Sequence, residues 1–210
     1  MIITVSRQMG AGGSEVARRV ADALGFRVVD NELIDRVAER AGLPPEEVAD
    51  REERAPGFVE RLVRALSRSA PELLSEPPDR LPEPEEKSLV QVTEKVVAEV
   101  AAEGRVVLVG RAAPAVLAGS HEALHVKIVA PLAFRIARTA EHDGVDTREA
   151  ERRVKESDAN RARYLAHHYQ RDWSDPTNYH MVLNTDPLGL DGAVQIIVAR
   201  ANAMWPGNRE

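Results

Sequence analysis

The chain has 210 residues, a formal net charge of −6, 43% hydrophobic residues and no cysteine. This length suits one domain with a well-filled core and a small insert. The absence of cysteine excludes disulfides and thiolate metal sites, and the acidic balance argues against a general nucleic-acid-binding protein. The sequence contains no apolar segment of membrane length. We therefore expect a cytoplasmic protein with neither nucleic acid nor a membrane as its partner.

The beginning of the chain predicts a strand, a glycine-rich turn and a helix. Residues 2–5 are β-branched and indicate a buried strand, and a helix runs from Ser14 to a stop at Gly25. Glycines allow positive φ angles and a close backbone approach, and N–H groups at a helix N-terminus bind anions. The alternative is a tight turn with nothing bound. The predicted phosphate-binding residues are Gly10, Ala11, Gly12, Gly13 and Ser14.

This loop departs from the phosphate-loop pattern G-x-x-x-x-G-K-[ST] at two positions. In the window that ends at Ser14, Arg7 replaces the first glycine and Gly13 replaces the lysine. Loss of a positioned charge typically costs on the order of 10² to 10³ in rate. Arg7 leaves the strand at the loop mouth and is our first candidate for the missing cation, with a plain surface residue as the alternative.

After a second strand and a second helix, the sequence becomes rich in proline. A strand at residues 26–29 ends at Asp30, and a helix covers residues 32–41. Residues 44–87 form an insert on the acceptor side of the domain, with one amphipathic helix at 58–66 and a proline-rich linker at 67–86. We interpret this insert either as a substrate-covering segment or as a disordered surface loop.

The second half alternates helices and strands within a single domain, residues 1–210. Strands are predicted at 106–109, 124–129 and 179–183, and helices at 88–103, 113–117, 131–142, 147–169 and 190–204. Asp146 and Glu149 have the spacing of a capping box, which opens the arginine-rich helix of a lid region at 146–178. The alternation predicts a three-layer α/β/α sandwich around a five-stranded parallel sheet.

Four segments in order resemble the cytidylate kinase-like family, a branch of the phosphate-loop nucleoside monophosphate kinases. They cover nearly the whole length of the chain. A divergent part of this family has a similar loop without lysine. The segments are ITVSRQMGAGGSE at 3–15, VVDNELIDR at 28–36, VVLVGRA at 106–112, and KESDANRARY at 155–164 with YHMVLNT at 179–185.

The resemblance implies ATP-dependent phosphoryl transfer to a nucleoside monophosphate, with CMP or dCMP as the default acceptor. It implies ATP and Mg²⁺ as cofactors, with the Ser14 hydroxyl as a magnesium ligand. The expected catalytic residues are Arg7, Arg161 and Asp30. The expected substrate-binding residues are Arg36, Arg111 and Asp158.

Several of these residues have a structural alternative. Arg161 is three residues from Asp158 and could pair with it on a solvated face. Asp30 could cap the following helix, and Arg36 could be a surface residue.

The acceptor and the activity also have alternatives. Val109 and Ala112 stand where true cytidylate kinases carry acidic residues around Gly-Arg, so cytidine specificity is not implied. The alternative function is a catalytically weak or inactive nucleotide-binding sensor of the same fold. A homo-oligomer is compatible with either function.

Overall fold

The computed structural model describes residues 1–30, 84–110 and 112–206, with the backbone alone for 84–89. The predicted helix at 32–41, the predicted insert up to residue 83, Arg36 and Arg111 lie outside the described residues. In the described ranges, no helix is both long and apolar enough to cross a membrane.

Strands and helices alternate along the described chain. The strands are β1 (Ile2–Arg7), β2 (Arg27–Val29), β3 (Val106–Val109), β4 (Ala123–Val129) and β5 (Met181–Asn184). The helices are α1 (Gly13–Leu24), α2 (Pro84–Glu103), α3 (Ala113–Val116), α4 (Leu132–Asp143), α5 (Thr147–Tyr169) and α6 (Thr185–Met204). A short 3₁₀ turn, Pro176–Asn178, precedes β5. We call α5 the lid helix.

The five strands form one parallel sheet in the order β2-β3-β1-β4-β5. The strand β1 is central, and its last residues Ser6 and Arg7 pair with Lys127 and Ile128 of β4. Ligands of open parallel sheets bind at the carboxyl ends of the strands, where neighbouring connections diverge. The end of β1 lies at such a point, and the predicted fold class is confirmed.

The core has one apolar layer on each face of the sheet, because successive strand residues point to opposite faces. Ile3 and Val5 pack with α1 and α6, and both are fully buried. Ile2 and Leu108 pack on the other face with α2. The sheet and the helices on its two faces form the predicted three-layer α/β/α sandwich.

The largest differences from the predicted boundaries are at the starts of two helices. The helix α2 begins at Pro84 rather than at residue 88, and proline suits the first turn of a helix because it needs no N–H partner there. The helix α6 begins at Thr185 rather than at residue 190, with a non-helical Gly189 inside it. The predicted cap of α5 is confirmed, since Asp146 accepts a 2.8 Å hydrogen bond from the Glu149 N–H group.

A pair of stacked histidines lies beside the central strand. Thr4 Oγ1 and His125 Nδ1 are 2.8 Å apart, and His180 Nδ1 accepts from the His125 N–H group at 2.9 Å. The two rings stack with centroids 5.0 Å apart. Burial and the neighbouring His180 lower the pKa of His125 to about 4.

This histidine predicts a loss of stability in mild acid. The pKa of His125 is lowered from 6.5 in the unfolded chain, so the unfolded chain binds more protons between pH 6.5 and 4. The free energy of unfolding should fall as the pH drops through that window. Urea unfolding between pH 7.5 and 4 should show a shallower decline for His125→Gln. The exposed His121→Gln serves as control; equal slopes in the two variants would contradict this assignment.

Candidate active site

The glycine loop at the end of β1 leads into an uncapped helix N-terminus. Gly10 and Gly12 both have a φ of +79°. The N-cap position of α1 is Gly12, and within the described ranges no side chain caps this end. Free N–H groups and the positive end of the helix dipole favour a bound anion. Ser14, in the first turn of α1, brings a hydroxyl to the same end.

Close packing also demands glycine in this loop. A Cβ atom on Gly10 would lie 2.5 Å from the carbonyl oxygen of Arg135, and one on Gly12 would lie 2.6 Å from Leu190 Cδ2. Thr185 Oγ1 fixes the loop from another side by donating to the Ala11 carbonyl at 2.8 Å. The loop is therefore a rigid turn as well as a suitable anion site.

Arg7 occupies the space beside Gly13. A Cβ atom on Gly13 would overlap Arg7 Cβ, and one on Gly110 would overlap Arg7 Nη1. Gly110 has a φ of +77°, which favours glycine independently of this contact. The guanidinium group reaches Asp30, with Nη2 3.5 Å from Oδ1. The arginine thus lies between two glycines, and a longer residue at position 13 would have to displace it.

The carboxylate of Asp158 connects the lid helix to the glycine loop. Its Oδ1 accepts from the Met9 N–H group at 3.1 Å, and its Oδ2 pairs with Arg135 Nη1 at 2.6 Å. Arg135 also donates to the carbonyls of Ala130 and Met9 at 2.9 and 3.2 Å. The Asp158 and Arg135 side chains are 16% and 7% exposed. Through these contacts Asp158 helps to hold the glycine loop in position. Its role in substrate binding stays a prediction.

Arg161 lies one helical turn further along the lid helix. Its Nη1 donates to the Arg7 carbonyl at 3.3 Å and is 3.6 Å from Asp158 Oδ1. The expected Arg161–Asp158 pair is present. It is not on a solvated face, because the two side chains are only 20% and 16% exposed. The structure therefore brings Arg7, Arg161 and Asp30 together around the end of β1.

Two features of this site were not anticipated from the sequence. Arg135 orders the loop through a partner 23 residues away in the chain, a separation that carries no local signal. Gly110 makes room for Arg7, and its place directly after a buried strand was the available hint. Trp173 and Tyr179 are 7% and 8% exposed, so both are buried packing residues.

The model of the cytidylate kinase-like family matches residues 2–187. The chain belongs to this family. A cytidylate kinase of Natronomonas pharaonis is 26% identical over 211 residues, covering 100% of this chain and 94% of the relative. One of Methanopyrus kandleri is 27% identical over 210 residues, covering 95% and 92%.

Solved structures show the same fold. A protein from Eubacterium ventriosum has a TM-score of 0.70 at 19% identity and covers 97% of this chain and 99% of its own. A shikimate kinase from Bacteroides thetaiotaomicron has a TM-score of 0.52 at 16% identity, covering 95% and 97%. These likenesses show the fold. The family membership and the cytidylate kinase relatives support a nucleotide kinase-like phosphotransferase.

The contacts of Asp158 predict a large effect on stability. Asp158→Asn keeps an acceptor for the Met9 N–H group but leaves the buried Arg135 without a counter-charge, which should cost about 3 kcal/mol of unfolding free energy. Urea unfolding at pH 7 measures it. Glu151→Gln is the control, because it breaks an exposed pair with Lys155 on the same helix and should change little. Equal losses in the two variants would argue against Asp158 as the link between lid helix and loop.

Proposed function

We propose that the protein transfers the γ-phosphoryl group of ATP to a nucleoside monophosphate, with CMP and dCMP as the first acceptors to test. The observation that carries this proposal is the place of Arg7 between Gly13 and Gly110 at the mouth of the loop. The cytidylate kinases with which the chain shares 26% to 27% identity support the acceptor class.

Phosphoryl transfer chiefly requires that the phosphates are held in line and their charge is stabilised. In our proposal the N–H groups from Gly10 to Ser14 bind the donor phosphates. Arg7 supplies the charge that lysine supplies in the usual loop. Arg161 lies at the Arg7 carbonyl and approaches the same phosphates from the lid helix. Arginine suits this role because its planar fork can donate two hydrogen bonds to phosphate oxygens.

The residues at the end of β1 also fit a bound magnesium ion, which prefers oxygen ligands and retains several waters. The Ser14 hydroxyl would hold it, and the Asp30 carboxylate would orient its waters. When bound, magnesium neutralises part of the phosphate charge. We assign Arg36 and Arg111 to the acceptor phosphate. Asp158 would contribute to substrate binding indirectly, because it positions the glycine loop and Arg161.

A nucleotide-binding sensor without turnover is the second candidate. It is favoured by the ion pair between Arg7 and Asp30, which offsets the arginine charge. ATP turnover with a panel of CMP, dCMP, UMP, AMP and GMP separates the two functions. Tight ATP binding without ADP formation above background for any acceptor would exclude the kinase.

Exchange of the two loop positions tests the role of Arg7. Arg7→Ala should lower kcat by about 10² to 10³ because the loop then lacks a cation. Gly13→Lys alone should also be impaired, since the new side chain overlaps Arg7. The double variant Arg7→Gly with Gly13→Lys also removes the Arg7 Cβ atom that a side chain at position 13 would overlap. It restores the usual glycine and lysine of the loop pattern, so it should be more active than either single variant. Steady-state kinetics with ATP and CMP provides the measurement.

The control for this series is Arg18→Ala, which removes an exposed arginine from α1. It should retain wild-type kcat. Wild-type turnover by Arg7→Ala would remove Arg7 from the mechanism, and a double variant no better than the single ones would show that positions 7 and 13 do not share one role.

A second test concerns the glycine that makes room for Arg7. Gly110→Ala adds a Cβ atom against Arg7 Nη1 and should lower kcat by at least about tenfold through displacement of the guanidinium. Gly104→Ala is the matched control, since Gly104 has a φ of +69° and, apart from its chain neighbours, the described residues bring no atom within 4 Å of the added carbon. Both should lose about 1 kcal/mol of stability from the strained backbone. If both variants lose the same activity, strain rather than Arg7 explains the result.

A further inference from the structure

A buried lysine lies on the opposite face of the sheet from Arg7. Lys127 of β4 is 4% exposed and pairs in register with Ser6, the residue before Arg7. Its ammonium group donates to the carbonyl oxygen of Trp173. The Nζ atom also lies 4.1 Å from the centroid of the Trp173 ring and 5.1 Å from that of Tyr179. We call Ser6, Lys127, Trp173 and Tyr179 the lysine cluster.

The cluster is closed by hydrogen bonds around Trp173. The indole Nε1 donates to Ser6 Oγ at 2.9 Å, and the Tyr179 hydroxyl donates to the Trp173 carbonyl at 3.1 Å. Trp173 packs against Leu165 of the lid helix and against Ala112. The lysine cluster therefore joins the lid helix to the residue that precedes Arg7.

The charge of Lys127 is not needed to fill this space. In the part of the chain that the structure describes, its ammonium forms no ion pair with a carboxylate. Burial of an ammonium is costly, and its contacts with two rings and one carbonyl offset only part of that cost. Methionine has a similar length and would fill the same space without the cost. Neither packing nor stability therefore accounts for the ammonium, whose hydrogen bond to the Trp173 carbonyl is a contact that methionine could not make.

We propose that Lys127 is a positioning residue for phosphoryl transfer, because its ammonium fixes Trp173 and thereby holds the end of β1 and the lid helix together around Arg7 and Arg161. This inference rests on the proposed function. The path runs from Lys127 to the Trp173 carbonyl, from the indole to Ser6, and from Ser6 to Arg7. On the other side it runs from the indole to Leu165 of the lid helix.

Protonation of Lys127 connects this role to pH. Burial lowers the pKa of Lys127 to about 8, and the carboxylates of Asp158 on the lid helix and Asp172 in the following loop oppose that shift. The remaining titratable group of the cluster is Tyr179, whose pKa burial raises. Above about pH 8 the amine loses its attraction to the rings and its strong hydrogen bond. We therefore expect kcat to decline as Lys127 deprotonates.

Stability should change in the opposite direction over the same range. Because the pKa of Lys127 is lowered from 10.5, the unfolded chain binds more protons between about pH 8 and 10.5. The contribution of Lys127 to unfolding free energy thus rises with pH while activity falls. If unfolding caused the loss of activity, the free energy of unfolding would fall rather than rise over this pH range.

The test compares Lys127→Met and Lys127→Arg with the wild type. Lys127→Met should lower kcat about tenfold or more at pH 7, with a much smaller change in KM for ATP and no loss of urea stability. Lys127→Arg should keep activity and remove the decline near pH 8, because arginine stays charged. The inference would be overturned if Lys127→Met kept the wild-type kcat and the same decline of kcat at alkaline pH. A loss of activity matched by a loss of stability, which is the result of a packing role, would also overturn it.

A second measurement reads the contact without turnover. Trp205→Phe leaves Trp173 as the single tryptophan. Its fluorescence should titrate with a midpoint of about pH 8, and the titration should disappear in Lys127→Met. A flat profile in the Trp205→Phe background would overturn the contact and the inference. Lack of wild-type turnover with every acceptor would instead overturn the proposed function, and the Trp173 titration distinguishes the two failures.

Discussion

The packing of Arg7 between Gly13 and Gly110 is the constraint on which the site depends. A side chain at either glycine would overlap the arginine, and Asp30 holds its far end. The missing loop lysine and the presence of an arginine at the end of β1 are therefore two parts of one arrangement. A cation that comes from the strand needs room beside the loop, and the glycine at position 13 provides it.

The surrounding contacts keep this arrangement in place. Asp158 of the lid helix and Arg135 of α4 fix the loop backbone. Arg161, also on the lid helix, reaches the Arg7 carbonyl. On the other face of the sheet, Trp173 joins that helix to Ser6. The end of β1 is thus held from both faces. A site that stabilises phosphate charge requires such fixed donors, because a cation that must reorganise contributes less to catalysis.

The sequence predicted the sheet, the glycine loop and the cap of the lid helix because each has a local signal: β-branched runs, turn glycines and the Asp146–Glu149 spacing. It did not predict the contact between Asp158 and Arg135, since an ion pair across 23 residues depends on how α4 and α5 pack. The same holds for the burial of Lys127, because a lone lysine in a strand gives no sign of two aromatic neighbours. The position of Arg7 was enough to name it as a candidate. The space that Gly110 gives it could not be predicted.

The most direct measurement is a crystal structure with ADP, magnesium, CMP and a planar mimic of the transferred phosphoryl group. Our account predicts that the Arg7 guanidinium lies within hydrogen-bond distance of the mimic while Gly13 and Gly110 still flank its side chain. A structure in which Arg7 stays paired with Asp30, away from the phosphates, and another cation occupies that place would contradict it.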